Sequence, residues 1–585
     1  MSALINAIDN YTSKQIGENG HAEYGWSNSV QEKIVQFSFQ VIRTDDKGVK
    51  KLGTILKDIL VVLKHSIDKG TIPEKVTAKE CLSVLYRIIG QTRDIIDGKG
   101  EYNLTYMMIH TWYDFYPELA MFALKCLVDL GDKSIHQYGS WKDIKYFCKY
   151  CKNNSSSNYL EHPLIIYAVQ LINNQLNIDY DNFSSGTNNI SLLARWVPRE
   201  KSAFGWLYKS MATDYYKNYM HTAVTDVQIK RAILKCKTEY RKLLSVLNTK
   251  LDTLQIKQCG QQWRDIDFDK VTSISVSKQK KAFLNINKNG ELRYPDNNDR
   301  MECAENFKAR IKKAISGDEN VEEIKGKRVG MADFTKQALE LIVYRNQDEI
   351  DLLNSQWRDN SSQTQALGNM IAMVDVSGSM EGDPMNVAIA LGIRIANKSV
   401  LGKRVLTFSN NPSWVNLEPY DDFVSQVEVI KRADWGMNTN IYAALDMILD
   451  SIIQSKLSPE DIKDMILVIL SDMQIDDGDT SDKKSLYEVM NTKYSDVGIR
   501  NFGKPLLPPH ILFWNLRSTS GFPTLSQQPN CSMMSGFSPS LLNQFCEDGM
   551  NVLLETSSPW SNLLKSLENE RYKILSNKID QEINV

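Results

Sequence analysis

The pattern of apolar positions divides the chain into two parts. Up to about residue 360, apolar side chains recur at helical spacing, as in LGTILKDILVVLKHSI and PELAMFALKCLVDLG. Short polar breaks such as DKGTIP and KNNSSSN separate these segments, and no strict repeat period is present. The pattern predicts an all-α N-terminal region over residues 1–360, built as a HEAT-like, irregular α-solenoid or an irregular bundle.

After this region, short apolar runs alternate with amphipathic segments. Such alternation predicts a parallel sheet covered by helices on both faces, hence a multidomain chain with an α/β domain at 361–585. The polar stretch SQWRDNSSQTQALG at 355–368 predicts a linker between the two domains. Strands are predicted at 370–375, 404–409, 465–471, 510–515 and, more weakly, 531–535, with helices at 384–398, 440–453, 482–493 and 538–547.

Composition narrows the class of protein. A length of 585 residues is too great for one core, and a net charge of −2 excludes a globally basic nucleic-acid coat but leaves room for a local basic face. Nine scattered cysteines suit a reducing compartment, and neither a secretory signal nor an 18-residue apolar run is present. We expect a cytoplasmic protein without a membrane partner, or one in a virion or viral factory if its origin is viral.

Polar side chains collect where the predicted strands end. The segment NMIAMVDVSGSMEGDP places Asp375, Ser377 and Ser379 directly after a buried strand. Asp472 ends another strand, and Thr439 follows a glycine-containing turn and opens a helix. Since the carboxyl ends of parallel strands meet at one edge of a sheet, these side chains should lie together.

This set of side chains has the chemistry of a site for a hard cation. Hydroxyl oxygens are neutral hard donors and the two aspartates supply negative charge, so the set predicts Mg²⁺, or Mn²⁺ or Ca²⁺. The alternative is a set of capping and turn residues that bind no metal. Asp383, which precedes Pro384, is predicted to be such a helix cap.

With these segments identified, residues 361–585 resemble a von Willebrand factor A domain. The five positions match, residue by residue, that family's metal-ion-dependent adhesion site. The resemblance implies a Rossmann-like fold in which Asp375 and Asp472 act mostly through water and hydroxyl groups. It also implies that the metal keeps a vacant position for an Asp or Glu of a protein partner.

A second resemblance covers the helical region. The segments IIGQTRDIIDGKGEYNLTYMMIHTWYDFYPELA and YGSWKDIKYFC resemble the helical module of Ro-type (TROVE) ribonucleoproteins. ARWVPREKS, QQWRDIDFDKVTS, HILFWNLRS and MMSGFSPSLLNQF are similar to signature segments of an uncharacterised family of plants, bacteria and giant viruses, in which a TROVE-like region precedes a von Willebrand A-like domain. By analogy with Ro proteins, the resemblance implies binding of structured or single-stranded RNA.

Local charge offers independent support for RNA binding. Between about 227 and 330, Lys and Arg outnumber Asp and Glu, and Tyr240 and Trp263 could stack bases. A solvated helix face with core aromatics is the alternative. The candidate RNA contacts are Lys235, Arg241, Lys242, Lys278, Lys280 and Lys281.

Three further signals carry less weight. Cys148 and Cys151 form a lone Cys-x-x-Cys without a second pair, which disfavours structural zinc. Arg93, Asp94 and Lys99 are candidates for either an ion-pair cluster or an RNA-facing turn. No His-Glu-x-x-His or Gly-x-Ser-x-Gly motif is present, so no enzyme is predicted.

The predicted function is a non-enzymatic, metal-dependent scaffold that binds RNA and docks a protein. The alternative is a protein–protein adaptor that binds no RNA. A metal-dependent hydrolase is disfavoured because the motif supplies no general base. Residues 410–419 and the loop 476–484 should flank the metal site and tune the choice of partner.

Overall fold

In the computed structural model, residues 14–584 are described, except 133, 156–157, 317–320, 434, 437–438, 477–483 and 547–557. The described part of the first 361 residues is mostly helical, as predicted, and it begins with a short antiparallel pair, β1 (Lys14–Ile16) and β2 (Ala22–Tyr24). The helices that follow are α1 (Val30–Gln40), α2 (Asp46–Lys69), α3 (Ile72–Arg93), α4 (Asn103–Tyr113), α5 (Pro117–Cys126), α6 (Trp141–Asn154), α7 (Pro163–Ser184), α8 (Leu193–Trp196), α9 (Gly205–Tyr215), α10 (Lys217–His221), α11 (Asp226–Leu251), α12 (Leu254–Cys259), α13 (Ser273–Phe283), α14 (Asn298–Ile315), α15 (Met331–Tyr344) and α16 (Gln347–Ser361).

The C-terminal part is an α/β unit, so the broad prediction of a mainly helical region followed by an α/β region is confirmed, although the N-terminal region is not all-α because it contains β1 and β2. Its strands are β3 (Asn369–Asp375), β4 (Arg404–Phe408), β5 (Ser413–Asn416), β6 (Met465–Ser471), β7 (His510–Asn515) and β8 (Cys531–Ser535). Its helices are α17 (Asp383–Lys398), α18 (Phe423–Lys431), α19 (Ile441–Gln454), α20 (Pro459–Lys463), α21 (Leu486–Phe502), α22 (Pro559–Leu567) and α23 (Lys573–Glu582).

Within the described ranges these strands form one six-stranded sheet in the order β5-β4-β3-β6-β7-β8. All neighbouring pairs are parallel except β4 and β5, which are antiparallel. The five predicted strands are confirmed, whereas β5 was not predicted. The helix predicted at 482–493 begins at Leu486 and extends to Phe502, and the one predicted at 538–547 is a 3-10 segment, Pro539–Phe545.

Helices cover both faces of the sheet because its central strands are apolar on both sides. Helices α15 to α18 pack on one face, and α19 and α21 pack on the other. Helix α17 approaches β3 closely at Gly392, where an added Cβ would lie 2.5 Å from Cγ2 of Val374. The sheet is thus buried, and only its strand ends and edges are open to ligands.

The linker prediction at 355–368 is wrong for its first seven residues, which complete α16. Trp357 is buried and stacks on Phe423 of α18, with ring centroids 3.9 Å apart. The polar side chains of this segment are also buried, because Asn360 and Thr364 accept hydrogen bonds from the buried guanidinium of Arg394. Tertiary contacts therefore order a segment whose composition is typical of a loop.

Both ends of the chain contact the opposite half. Near the N-terminus, Tyr24 of β2 and Phe522, in the segment after β7, exchange two backbone hydrogen bonds in an isolated antiparallel bridge. Near the C-terminus, α22 and α23 contribute apolar side chains such as Leu563 and Leu575 to the core of the N-terminal helices. None of the helices in the described ranges is long and apolar enough to cross a membrane.

Candidate functional site

The first part of the site is the turn after β3. Asp375 is fully buried, and its Oδ1 accepts a hydrogen bond from the backbone N–H of Ser377 at 2.9 Å. Its Oδ2 accepts one from the hydroxyl of Ser471, at the end of the adjacent strand β6, at 2.6 Å. The hydroxyl oxygens of Ser377 and Ser379 are 3.2 Å apart. Three of the predicted ligands therefore form one connected group.

The fourth predicted residue, Asp472, joins this group from β6. It is fully buried, and its Oδ1 accepts a hydrogen bond from the backbone N–H of Gln474 at 3.1 Å. The hydroxyl of Ser379 also bonds to this carboxylate. The guanidinium of Arg517, in the segment after β7, donates to Oδ2 of Asp472 and to the carbonyl of Ser379, each at 3.3 Å.

The fifth predicted residue, Thr439, lies at the same end of the sheet. Its backbone N–H donates to the carboxylate of Asp476 at 2.6 Å, and the N–H of Asn440 donates to the carbonyl of Ser409 at 2.9 Å. Ser409 directly follows β4, the other neighbour of β3. These contacts hold the buried Thr439 between the ends of β4 and β6, although they do not join its side chain to the other four residues.

Two buried carboxylates of like charge dominate the electrostatics. Burial and the negative charge of Asp472 raise the pKa of Asp375 to about 7. Burial also raises the pKa of Asp472, opposed by its hydrogen bond from Gln474 and by the positive charge of Arg517. The half-exposed side chain of Arg517 is thus the cation that the described residues supply to this acidic pair.

The donor set fits a small hard cation. Two serine hydroxyls lie beside two aspartates whose mutual repulsion a cation would relieve. No group of three or more His, Cys, Asp or Glu side chains arranged to hold a metal occurs among the described residues. A metal at this edge would therefore depend on the hydroxyls, as the sequence predicts.

Of the two segments predicted to flank the site, only a part can be located beside it. Residues 410–412 turn beside the end of β4, but β5 then runs back along the edge of the sheet, so Asn416 pairs with Arg404 at the far end. Only the beginning of 410–419 is therefore near the site. The predicted loop 476–484 lies largely outside the described residues.

The prediction for Asp383 needs correction. The residue that caps α17 is Gly382, with φ at +100°, whereas Asp383 lies in the first helical turn. Its carboxylate pairs with Lys336 and lies 3.9 Å from the guanidinium of Arg43. Glycine takes the cap position because this backbone conformation is strained for other residues.

Sequence reasoning missed Ser471 and Arg517. Both follow from strand register, because Ser471 pairs with Asn515 and Arg517 stands two residues beyond it at the same edge of the sheet. Asn515 accepts the backbone N–H of Arg517 at 3.0 Å and fixes the turn. The sequence signal for this arginine is a charged residue just after a predicted strand, at a position outside the motif of the von Willebrand factor A domain.

The predicted RNA contacts lie on two helices, α11 and α13, and three of the six are paired with carboxylates. Arg241 bonds to Glu200 at 2.7 Å, and Lys242 bonds to Glu239 at 2.9 Å. Lys235 lies over the ring of Tyr219, 3.9 Å from its centroid. Lys278 is exposed, and Lys281 donates to the carbonyl of Lys288.

Three residues that were predicted to contact RNA or stack its bases are covered by other parts of the protein. Lys280 is buried and paired with Glu349 at 2.9 Å, which removes its charge from the surface. Tyr240 is fully buried and donates to Asn173, so its ring cannot stack a base. Trp263 is covered on one face by Arg300, whose guanidinium lies 3.7 Å from the ring centroid. The alternative of core aromatics holds for Tyr240.

The alternatives for Arg93, Asp94 and Lys99 are resolved in favour of structural contacts. Arg93 makes a buried two-bond pair with Asp143, at 2.6 and 2.9 Å. Asp94 accepts two bonds from Arg571 of the C-terminal segment, at 2.6 and 2.7 Å. The buried ammonium of Lys99 donates to the carbonyls of Ser38 and Val41 and to the hydroxyl of Ser535. None of them faces outward.

Cys148 and Cys151 both face the helical core as buried free thiols. Burial raises the pKa of each thiol above its ordinary value, to about 12 for Cys148. Thiolates are the form that binds zinc, so this environment disfavours metal binding.

Fold and site together define a helical protein with an α/β unit whose polar side chains gather at the carboxyl ends of parallel strands. Residues 369–580 match a family described as a domain of unknown function, DUF7788. Over 514 residues the chain is 28% identical to an uncharacterized protein, L728, of Acanthamoeba polyphaga mimivirus, and the match covers 83% of this chain and 79% of that protein. The viral similarity therefore includes much of the helical half. Neither description names a von Willebrand factor A domain or a TROVE region, so those resemblances stay predictions.

Proposed function

We propose that this protein is a non-enzymatic scaffold whose sheet binds a divalent cation and, through it, a carboxylate of a protein partner. The observation that carries the proposal is the connected group of Asp375, Ser377, Ser379 and Asp472 at adjoining strand ends. In this proposal the unit is Rossmann-like, of the von Willebrand factor A kind, and the group is its metal-ion-dependent adhesion site. Mg²⁺ is the expected ion, with Mn²⁺ or Ca²⁺ as alternatives.

The ligand types favour docking over hydrolysis. The hydroxyls of Ser377 and Ser379 are neutral, so a bound cation would keep much of its positive charge and attract an incoming Asp or Glu. Both aspartates are already hydrogen-bonded, by Ser471 and by Gln474 and Arg517. A hydrolytic mechanism needs a positioned base beside the metal, and neither carboxylate is free to act as one.

In the second part of the proposal, the helical half is a platform that binds RNA. It is built as a HEAT-like solenoid and is similar to a TROVE module. The similarity to the mimivirus protein, which includes much of this half, supports the idea that helical region and sheet act together. The paired cations of Arg241, Lys242 and Lys280 favour a surface other than residues 230–281 for RNA. An adaptor that binds only proteins is the alternative.

The metal half is tested by isothermal titration of the purified protein with Mg²⁺ and Mn²⁺. Asp375→Ala and Thr439→Ala should lower the affinity by at least about tenfold, since each removes charge or an oxygen donor from the site. Thr439→Ser keeps the hydroxyl and should retain binding, and Asp421→Ala changes an exposed aspartate of the same half. Unchanged titrations for both alanine variants would remove the assignment.

The docking half is tested by crosslinking in cells, with both protein and RNA identified. A partner held through the metal should be lost after chelation with EDTA and in Ser377→Ala, and also when one acidic residue of that partner is replaced. A complex that survives both EDTA and Ser377→Ala would show that docking occurs elsewhere. If crosslinking recovers proteins but no RNA, the adaptor alternative is favoured.

A further inference from the structure

Helix α6 carries four lysines on one face. Lys142, Lys145, Lys149 and Lys152 follow one another at spacings of three, four and three residues, which places them in a row along the helix. At 1.5 Å per residue this row is about 15 Å long. We call it the α6 basic face. The opposite side of α6, with Phe147 and Cys151, is buried in the helical core.

Aromatic rings lie between these lysines. The ammonium of Lys142 is 4.7 Å from the ring centroid of Tyr102, and that of Lys152 is 4.8 Å from the centroid of Trp206. The ammonium of Lys145 is 5.1 to 5.4 Å from the centroids of three rings, those of Tyr146, Trp196 and Phe204. Tyr146 is 37% exposed as a residue, so part of it is open to a ligand.

The positive charges of this face have no counter-ions in the described part of the chain. No carboxylate among the described residues lies within 4.0 Å of any of the four ammonium groups or of the neighbouring Arg195. Burial and the charge of Lys142 lower the pKa of Lys145, and burial lowers that of Arg195. A bound polyanion would relieve this repulsion, whereas Arg241 and Lys242 already have carboxylate partners.

We propose that the α6 basic face, with Tyr146 and Trp196, binds single-stranded RNA. The row of cations matches a chain of phosphates, and the interleaved rings match unstacked bases. A double helix would not offer base faces to these rings, and an acidic protein would use the charges but not the rings. The inference rests on the RNA-binding half of the proposed function and gives it a surface that the sequence did not single out for RNA.

The chain segment that completes this surface is ARWVPREKS, residues 194–202, a segment to which the sequence alone assigns no role. It brings Arg195 and Trp196 beside α6, where Arg195 lies 5.5 Å from the ring centroid of Trp196. Lys145 contacts the same indole from the other helix, 5.4 Å from its centroid. Two cations from separate segments thus share one aromatic ring at the middle of the face.

The test uses the full-length protein and a fluorescein-labelled, unstructured 20-nucleotide RNA, followed by anisotropy in 100 mM salt. Replacing the four lysines of α6 by Gln should weaken binding about 100-fold and lower the dependence of log affinity on log salt by about 0.7 for each phosphate that is no longer neutralised. The matched control replaces Lys235, Lys242, Lys278 and Lys281 by Gln, which changes the net charge equally. It should alter affinity less than about threefold.

A second variant keeps the proposal testable if the quadruple variant does not fold. Tyr146→Ala leaves every lysine in place and should weaken binding about tenfold with an unchanged salt dependence, because it removes only stacking. Tighter binding of a duplex, of polyglutamate or of anionic vesicles than of the single strand would overturn the inference. Equal reductions in affinity in both quadruple variants would show that the α6 basic face is not the RNA-binding surface, although the protein binds RNA. A wild-type protein that binds no RNA would contradict the proposed RNA-binding function of the helical half as well.

Discussion

Arg517 places its guanidinium 3.3 Å from the buried carboxylate of Asp472, at the end of the sheet where a metal is proposed to bind. The same guanidinium donates to the carbonyl of Ser379, so it bridges two of the three segments that form the site. An arginine in this position partly neutralises the acidic pair. It also adds a positive charge that any divalent cation must approach.

Arg517→Gln should therefore strengthen Mg²⁺ binding. Removal of one positive charge a few ångströms from a divalent ion lowers the electrostatic repulsion of that ion. Two charges at this distance interact by a few kcal/mol at most when the effective dielectric constant is near 20, so we expect the affinity to rise about tenfold. Titration calorimetry measures this affinity. Arg500→Gln, an exposed arginine on α21, is the control and should leave the affinity unchanged. Weaker binding in Arg517→Gln would mean that the arginine supports the site.

Much of the sheet could be predicted from the sequence because its strands are buried on both faces. Runs such as MILVILS are apolar throughout, a signal that does not depend on knowing the neighbours. Strand β5 was missed because SWVN is four residues long and only Val415 is buried. Edge strands of this kind gain their structure from the pairing partner, here β4, and leave little trace in composition.

The remaining errors arise from long-range contacts. The segment 355–361 is polar in sequence, yet Asn360 is buried because its oxygen atoms accept hydrogen bonds from the guanidinium of Arg394, 34 residues away. In the same way Lys280 resembles a surface lysine until Glu349 is placed beside it. For the site, the motif identified four connected residues, while Arg517 required the register of β6 and β7.

The buried pair of Arg93 and Asp143 should be essential for stability. Asp143→Asn leaves the guanidinium buried without a counter-charge and also weakens the bond that caps the start of α6, from the N–H of Ser140 at 2.8 Å. We expect the free energy of unfolding to fall by about 3 to 5 kcal/mol. Urea denaturation of the two proteins measures the difference. Arg432→Gln breaks an exposed pair with Glu428 and should cost below about 0.5 kcal/mol. Equal effects would contradict the buried character of the first pair.

His510 should make stability depend on pH. Burial lowers its pKa from 6.5 to about 4, opposed in part by a hydrogen bond with the side chain of Asn530, and Nε2 bonds to the hydroxyl of Ser532 at 2.7 Å. The unfolded chain therefore binds a proton at higher pH than the folded one, so the contribution is complete above pH 6.5 and is lost as pH falls towards 4. The loss should approach about 3 kcal/mol.

The comparison that isolates this histidine is the pH profile of unfolding for wild type and His510→Gln. The variant should lose less stability than wild type between pH 6.5 and 4, and His65→Gln, at an exposed position of α2, is the matched control. Parallel profiles for wild type and His510→Gln would show that the imidazole is solvated when the protein is folded.

Helix α23, near the C-terminus, packs against α3 in the core of the N-terminal helices. Gly90 in α3 lies against Leu575 in α23, and a Cβ added to Gly90 would be 2.8 Å from Cδ1 of Leu575. Leu575→Ala should cost about 2 to 5 kcal/mol by opening a cavity. Gly90→Ala should cost about 1 to 3 kcal/mol through overlap, because Tyr138 and Tyr572 also crowd the position.

The double variant Gly90→Ala/Leu575→Ala should be less destabilised than the sum of the two single variants. In it the methyl group added at position 90 occupies part of the space that the leucine leaves, so the two changes are coupled by about 1 kcal/mol or more. Urea unfolding of all four proteins gives this coupling. Strict additivity would mean that α23 does not rest on α3 in solution. A favourable coupling would establish that the final helix of the chain, which lies almost wholly within the DUF7788 match, is part of the core of the N-terminal helices.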